Sequence, residues 1–265
     1  MADQWSLNRA NFEGRWQGSA AWFERDGDRP INWVQPTRVI DPTTYAISFS
    51  EPDLGLWDGS GLFFAPGGAA QYPISRDTYN QGGGCWQFPG AGGQSSLQLD
   101  PQRSRFGHEI NLFHERSRSM LVLIWTLIGT CWRLQVAGAV RFCCATAVLP
   151  ERQPVKRTTP EALLNSLRGW SGVVERLIPQ PGVDGVVRLG DLISFDPDRF
   201  LVHPLSTVMP NGLVFSVPEQ LPTRSFRLEI GGLLGPVLFQ HVSIVFDEKG
   251  DLTSWERVLF RPVQP

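Results

Sequence analysis

The chain has little of what most functional signatures require. Its 265 residues include only four histidines, four cysteines and three methionines. Cys85, Cys131, Cys143 and Cys144 all precede residue 150; two are adjacent and none forms a CxxC pair. A disulfide framework or a structural zinc site would space them differently, so the pattern reads as that of a reduced, cytoplasmic compartment. The longest apolar run, Met120 to Ile128, is far short of the roughly 20 residues a membrane-spanning helix needs. Its β-branched and aromatic content predicts a strand buried on both faces. The opening, MADQWSLNRANFEG, lacks the basic-then-apolar order of a signal peptide. A formal charge of −2 with both signs interspersed offers no basic face for nucleic acid and no basic amphipathic stretch for a membrane.

Catalytic signatures are scarce as well. There is no GxSxG elbow, no HExxH and no HxH. The clusters Gly82-Gly-Gly84 and Gly90-Ala-Gly-Gly93 carry no lysine and lead into no helical pattern, so they read as hairpin loops or a flap rather than phosphate cradles. Between them, Cys85 has no nearby cation or helix start to activate it and reads as a small buried residue. His108 and His114 fall on one strand face with Ile110 and Leu112. With His203 and His241 they read as hydrogen-bonded structural histidines, too few and too scattered for a metal. Asp184, Asp191, Asp196 and Asp198 crowd one region, but Asp196-Pro-Asp198 is turn chemistry. The expectation is a protein that is not an enzyme, with no catalytic residues, no metal and no cofactor.

What the sequence does have is punctuation and alternation. Its 27 glycines and 21 prolines separate short runs of period two. Phe226, Leu228 and Ile230 share one strand face while Arg227 and Glu229 take the other. Val242 to Phe246, the turn Asp247 to Asp251 and Leu252 to Phe260 read as a hairpin with Gly250 in its turn. Many short strands at this spacing argue for an all-β sandwich or barrel.

Two helix signals stand at matching places. Thr159-Pro160-Glu161 supplies an N-cap, a first-turn proline and an acidic residue for a helix through Leu163, Leu164 and Leu167 that stops at Gly169. The other helix runs from Trp5 to Phe12 and stops near Gly14. Each is followed by a glycine–tryptophan–glycine strand: Gly14-Arg-Trp16-Gln-Gly18 and Gly169-Trp170-Ser-Gly172. Later, Phe106 to Glu115 aligns without gaps on Phe239 to Glu248, making His241 the repeat partner of His108. The repeat divides the chain into domains 1–150 and 159–265, joined through the polar segment Pro150 to Thr159.

A tryptophan between glycines after a short helix is similar to the barrel-closing device of lipocalins and their calycin relatives. The resemblance implies two tandem lipocalin-like antiparallel β-barrels, each preceded by a short helix, with Trp16 and Trp170 plugging the barrel ends. In that group an arginine from the last strand packs across the tryptophan, a role implied for Arg141 in the first barrel and for Arg257 or Arg261 in the second. Five tryptophans (Trp16, Trp22, Trp33, Trp57 and Trp86) are enough to fill the first interior, leaving the second as the emptier barrel.

The stretch Met209 to Leu234, the hairpin ending Phe246 to Arg257, and Asn11-Phe-Glu-Gly-Arg-Trp-Gln-Gly-Ser19 resemble a cyanobacterial and plastid family of two-barrel proteins of unknown function. That family includes a chloroplast ATP synthase biogenesis factor. The resemblance implies an assembly factor contacting the beta and gamma subunits of the synthase, through a partner-sized surface between the barrels. Two alternatives are a carrier for a small apolar pigment or lipid, and a bilin lyase.

Overall fold

A computed structural model describes residues 2–62, 71–145 and 158–263. The expected linker lies outside the described residues as far as residue 157. Helix α1 (Gln4–Phe12) opens the chain, capped by Asp3, whose side chain accepts from the Ser6 amide. Nine strands follow: β1 (Gly14–Glu24), β2 (Arg38–Glu51), β3 (Leu54–Asp58), β4 (Gln71–Ser75), β5 (Cys85–Phe88), β6 (Ala91–Ser95), β7 (Arg105–His114), β8 (Ser117–Ile128) and β9 (Cys131–Cys144). The second half begins with α2 (Pro160–Asn165), capped by Thr159, then β10 (Trp170–Leu177), β11 (Arg188–Ser194) and the helical turn α3 (Pro197–Phe200). It ends with β12 (Leu205–Val208), β13 (Leu213–Val217), β14 (Phe226–Gly235), β15 (Leu238–Phe246) and β16 (Leu252–Pro262).

Each half is one antiparallel meander curled on itself, ordered β4-β3-β2-β1-β9-β8-β7-β6-β5 and β11-β10-β16-β15-β14-β13-β12. First and last strands pair in both, β1 with β9 and β10 with β16. The ring is left unjoined between β4 and β5 in the first half and between β11 and β12 in the second. The closing glycines have a common cause. A Cβ at Gly18 would stand 1.8 Å from the Arg141 carbonyl oxygen, and one at Gly172 would stand 2.5 Å from that of Leu259. Only glycine lets the last strand approach the first so closely. At the unjoined edge of the first half, Gln4 of α1 accepts from the Gln87 amide and donates to the Gln87 carbonyl, supplying β5 with ladder partners.

Three apolar cores follow from strand alternation. One, around Trp16, Tyr45, Met120 and Phe142, fills part of the first barrel. Another, around Leu164, Phe195, Phe239 and Phe260, fills part of the second. The largest lies between the two barrels and takes residues from both. There Trp86 stacks on Trp255 with centroids 6.2 Å apart, Phe106 meets Phe246 at 5.3 Å and Trp33 meets Phe215 at 5.5 Å. Burying such a side chain stabilises by about 1.5–3 kcal/mol or more. Polar ties fix the register: the Trp125 indole donates to the Pro218 carbonyl and Trp255 donates to Ser95, each at 3.0 Å. Asn211 donates to the carbonyls of Met120 and Val140.

This core explains why Met120 to Trp125 is apolar throughout. Met120 and Val122 of β8 face the first interior, whereas Leu121, Leu123 and Trp125 face the second barrel. It also corrects the expectation that five tryptophans fill the first interior, because Trp33 and Trp86 belong to the shared core. The apolar residues between the barrels are buried against one another, so this core is not the partner-sized surface expected there.

Candidate functional site

Both barrels keep interior space. In the first, a cavity of about 470 Å³ is lined by apolar side chains, among them Trp57, Ile47, Leu62 and Ile74, and by polar ones, among them Asn8, Thr78 and Gln94. It opens toward the Trp57–Tyr72 stack, whose tyrosine is 47% exposed. Deep in this space lies Arg118, 4% exposed, which enters from the start of β8 on the face of Met120. Four rings surround its guanidinium: Phe12, Tyr45, Phe142 and Phe113, at 4.9, 5.0, 5.1 and 5.8 Å. Nε donates to Asn111 at 2.6 Å, and Nη2 reaches Glu109 at 3.3 Å and the Met120 sulfur at 3.0 Å. Nη1 is buried without a hydrogen-bond partner, as is the Tyr45 hydroxyl.

Burial lowers the Arg118 pKa to about 9, which leaves the group charged at neutral pH. Burial raises the Glu109 carboxyl, a trend that its bond from Asn111 opposes. The Glu109 side chain nevertheless keeps 40% of its surface accessible, through the cavity it lines. Cys85, on the same wall, is pushed up to about 11 by burial and then by Glu109, so it is no activated thiolate.

The second interior, of about 530 Å³, is crossed by a chain of charges. Arg176 donates to Glu256 at 2.6 Å, and Arg227 bridges Glu256 at 2.7 Å and Glu229 at 2.9 Å. Glu229, buried, also takes hydrogen bonds from His241 at 2.7 Å and from Ser243. Burial works against the Glu229 charge, but His241, Arg227 and Ser243 outweigh it and hold the carboxyl below its ordinary value. These three residue types do not form a hydrolytic relay. Such a relay needs serine to give its proton to imidazole, whereas Ser243 donates to the carboxylate and lies 3.4 Å from the His241 nitrogen.

The residues singled out in the sequence take the following places. Trp16 is fully buried, and its indole donates to the Phe12 carbonyl at 2.8 Å. The cation over its ring is Arg116, from the β7–β8 turn, at 5.1 Å. Arg141 cannot reach it: Trp16 pairs with Cys144, on the face of Phe142 and Val140, and Arg141 takes the opposite parity beside Ser19 and Ser119. Trp170 packs against the second interior and pairs with Pro262. Arg261 pairs with Ser171, on the face turned away from Trp170, and Arg257 binds Glu175 and lies over Phe88 of the first half.

His108 and His241 are not repeat partners. His108 lies on β7, two strands before the closing strand β9, while His241 lies on β15, directly beside its closing strand β16. They also face opposite ways: His108 toward the shared core against Phe246, and His241 into the second interior. Phe-x-His followed by alternation recurs wherever a strand has one apolar face, so the alignment slips by one strand. Nor is His108 hydrogen-bonded. Neither ring nitrogen has a partner, and burial drives its pKa down to about 3. Arg118 and Glu109 escaped the sequence reading because strand alternation does not say which face is the inner one. Their parity with Met120 and Asn111 was the available signal.

Among the described residues no group of three or more His, Cys, Asp or Glu is placed to hold a metal. No described helix is long and apolar enough to cross a membrane.

No family model matches the sequence, and no curated protein matches it. Among solved structures the chain is similar to a DUF3598-family protein of unknown function from Nostoc punctiforme. The identity is 19%, the TM-score is 0.67, and the match covers 99% of this chain and 100% of that one. The likeness is one of fold, from end to end. A tesB protein of Mycobacterium avium subsp. paratuberculosis also matches, at 11% identity over 82% of this chain and 96% of that one, but its TM-score of 0.14 carries no argument.

Proposed function

We propose that this chain is a non-enzymatic binding protein that holds one small, partly apolar molecule inside its first barrel. The supporting observation is the cavity of about 470 Å³, whose wall mixes aromatic and aliphatic side chains with polar ones and includes the buried Arg118. Its size falls within the roughly 300–1,000 Å³ of small-molecule sites. The test is uptake of the uncharged dye Nile red by the purified chain, read as a blue-shifted rise in emission. Ile74→Trp, which fills the cavity mouth, is expected to abolish uptake while leaving thermal unfolding within a few degrees of wild type. Absence of uptake, or uptake indifferent to Ile74→Trp, would remove the reading. A bilin is a candidate occupant for the same assay, read by its own absorbance.

One observation favours a second reading, an assembly factor. Strand β11 pairs with β10 on one side only, and it exposes Leu189 and Leu192 at 75% and 69%. An apolar edge of this kind suits a protein partner. The sequence resemblance makes the ATP synthase beta and gamma subunits the partners to look for. Their enrichment with the wild-type chain as bait, and its loss with Leu189→Asp/Leu192→Asp, would carry that reading. No enrichment of either subunit would end it.

A further inference from the structure

We infer that the first barrel selects its occupant by a carboxylate head, which Arg118 receives. This assignment rests on the binding reading above and names the chemistry of the ligand. A guanidinium has five N–H donors in a planar fork. In Arg118 the Nε edge is committed to Asn111, Nη2 shares a long contact with Glu109, and Nη1 is unused. The group is 4% exposed and walled by Phe12, Tyr45, Phe113 and Phe142, so water does little to compensate its charge. A buried cation of this kind calls for an anion with good geometry. Glu109 supplies one oxygen at 3.3 Å while much of its side chain stays in the open cavity.

Arg118 and Tyr45 both line the cavity, and each keeps one buried polar atom, Nη1 and the hydroxyl, without a hydrogen-bond partner, so a carboxylate that reaches the base of the cavity finds donors there with no other acceptor. Ile47, Ile74 and Trp57 give the same cavity an apolar stretch of wall, beside a polar one that includes Asn8, Thr78 and Gln94. The occupant that fits is a monocarboxylic acid with an apolar tail. An alcohol or hydrocarbon of the same length would fill the tail region and leave Nη1 unpaired.

The experiment is displacement of Nile red from the full chain by laurate and by 1-dodecanol, which share a tail and differ in the head. Laurate is expected to displace the dye at about tenfold lower concentration, the effect of one charge-assisted contact. Arg118→Met should bring laurate to the level of dodecanol and leave dodecanol unchanged. If Arg118→Met fails to fold, Arg118→Lys keeps the charge without the fork and should cost laurate several-fold. Equal displacement by the two ligands in the wild type would overturn the carboxylate assignment and leave the carrier reading intact. Failure to take up Nile red at all would bring down both.

Discussion

The two barrel interiors contain the same kinds of residue, arranged to opposite ends. In the second, Arg176, Glu256, Arg227, Glu229, His241 and Ser243 satisfy one another in an unbroken chain. In the first, Arg118 is buried as deeply as Glu229, yet one nitrogen has no partner and its counter-charge is half in the open. A buried charge that is fully paired is a structural element. One left incomplete marks a place where something else is expected to bind. Of the two interiors the second is the larger, about 530 Å³ against about 470 Å³, so size does not separate them in the same direction.

The sharpest way to break this contrast is to cut the closed network. Glu229→Ala should destabilise the fold by about 3 kcal/mol in urea unfolding, because it removes the buried acceptor of His241 and Ser243 and one of the two carboxylates of the partly buried Arg227, which keeps Glu256. A loss under about 1 kcal/mol would mean that the second interior is as loosely held as the first.

The shared core offers the next effect. His108 has a folded pKa of about 3, against about 6.5 when unfolded, so below pH 6.5 the unfolded chain binds the extra proton. Its contribution is therefore complete above pH 6.5. It is lost as pH falls toward 3, at about 1.4 kcal/mol per unit. Thermal unfolding between pH 7 and pH 5 should show a loss of about 2 kcal/mol that His108→Phe removes, and an unchanged slope in that variant would place the titration elsewhere.

The smallest effect sharpens the contrast from the other side. Glu109→Gln should destabilise by about 1 kcal/mol, since Arg118 loses a carboxylate while the amide oxygen keeps a long contact to it. It should also raise laurate affinity several-fold by removing a competing anion. A drop in laurate affinity would instead make Glu109 part of the head-group site.

Much of the fold was legible in the sequence. The Thr159 cap, the matching helices and the paired glycine–tryptophan–glycine strands marked two similar halves because caps and close strand approaches are local constraints, and the lipocalin resemblance implied that each is a barrel. What alternation could not tell was which face is inside. Phe226, Leu228 and Ile230 oppose Arg227 and Glu229, as read, yet the charged face turns inward and the apolar face meets the other barrel. Period two reveals two faces without saying what covers either. The candidate site suffered most from this, because nothing in the sequence marks the strand face of Arg118 and Glu109 as the inner one.

The shared core also bears on what kind of object the chain is. Each barrel wears on its outside the apolar surface that a free-standing barrel would keep within. In thermodynamic terms the molecule is a heterodimer whose subunits happen to be covalently joined. Tethering makes their association unimolecular, with an effective concentration on the order of millimolar, so assembly does not depend on how much protein the cell makes. Separated, each half would expose its share of Trp125, Phe106, Trp255 and Phe246 and would seek a partner at once.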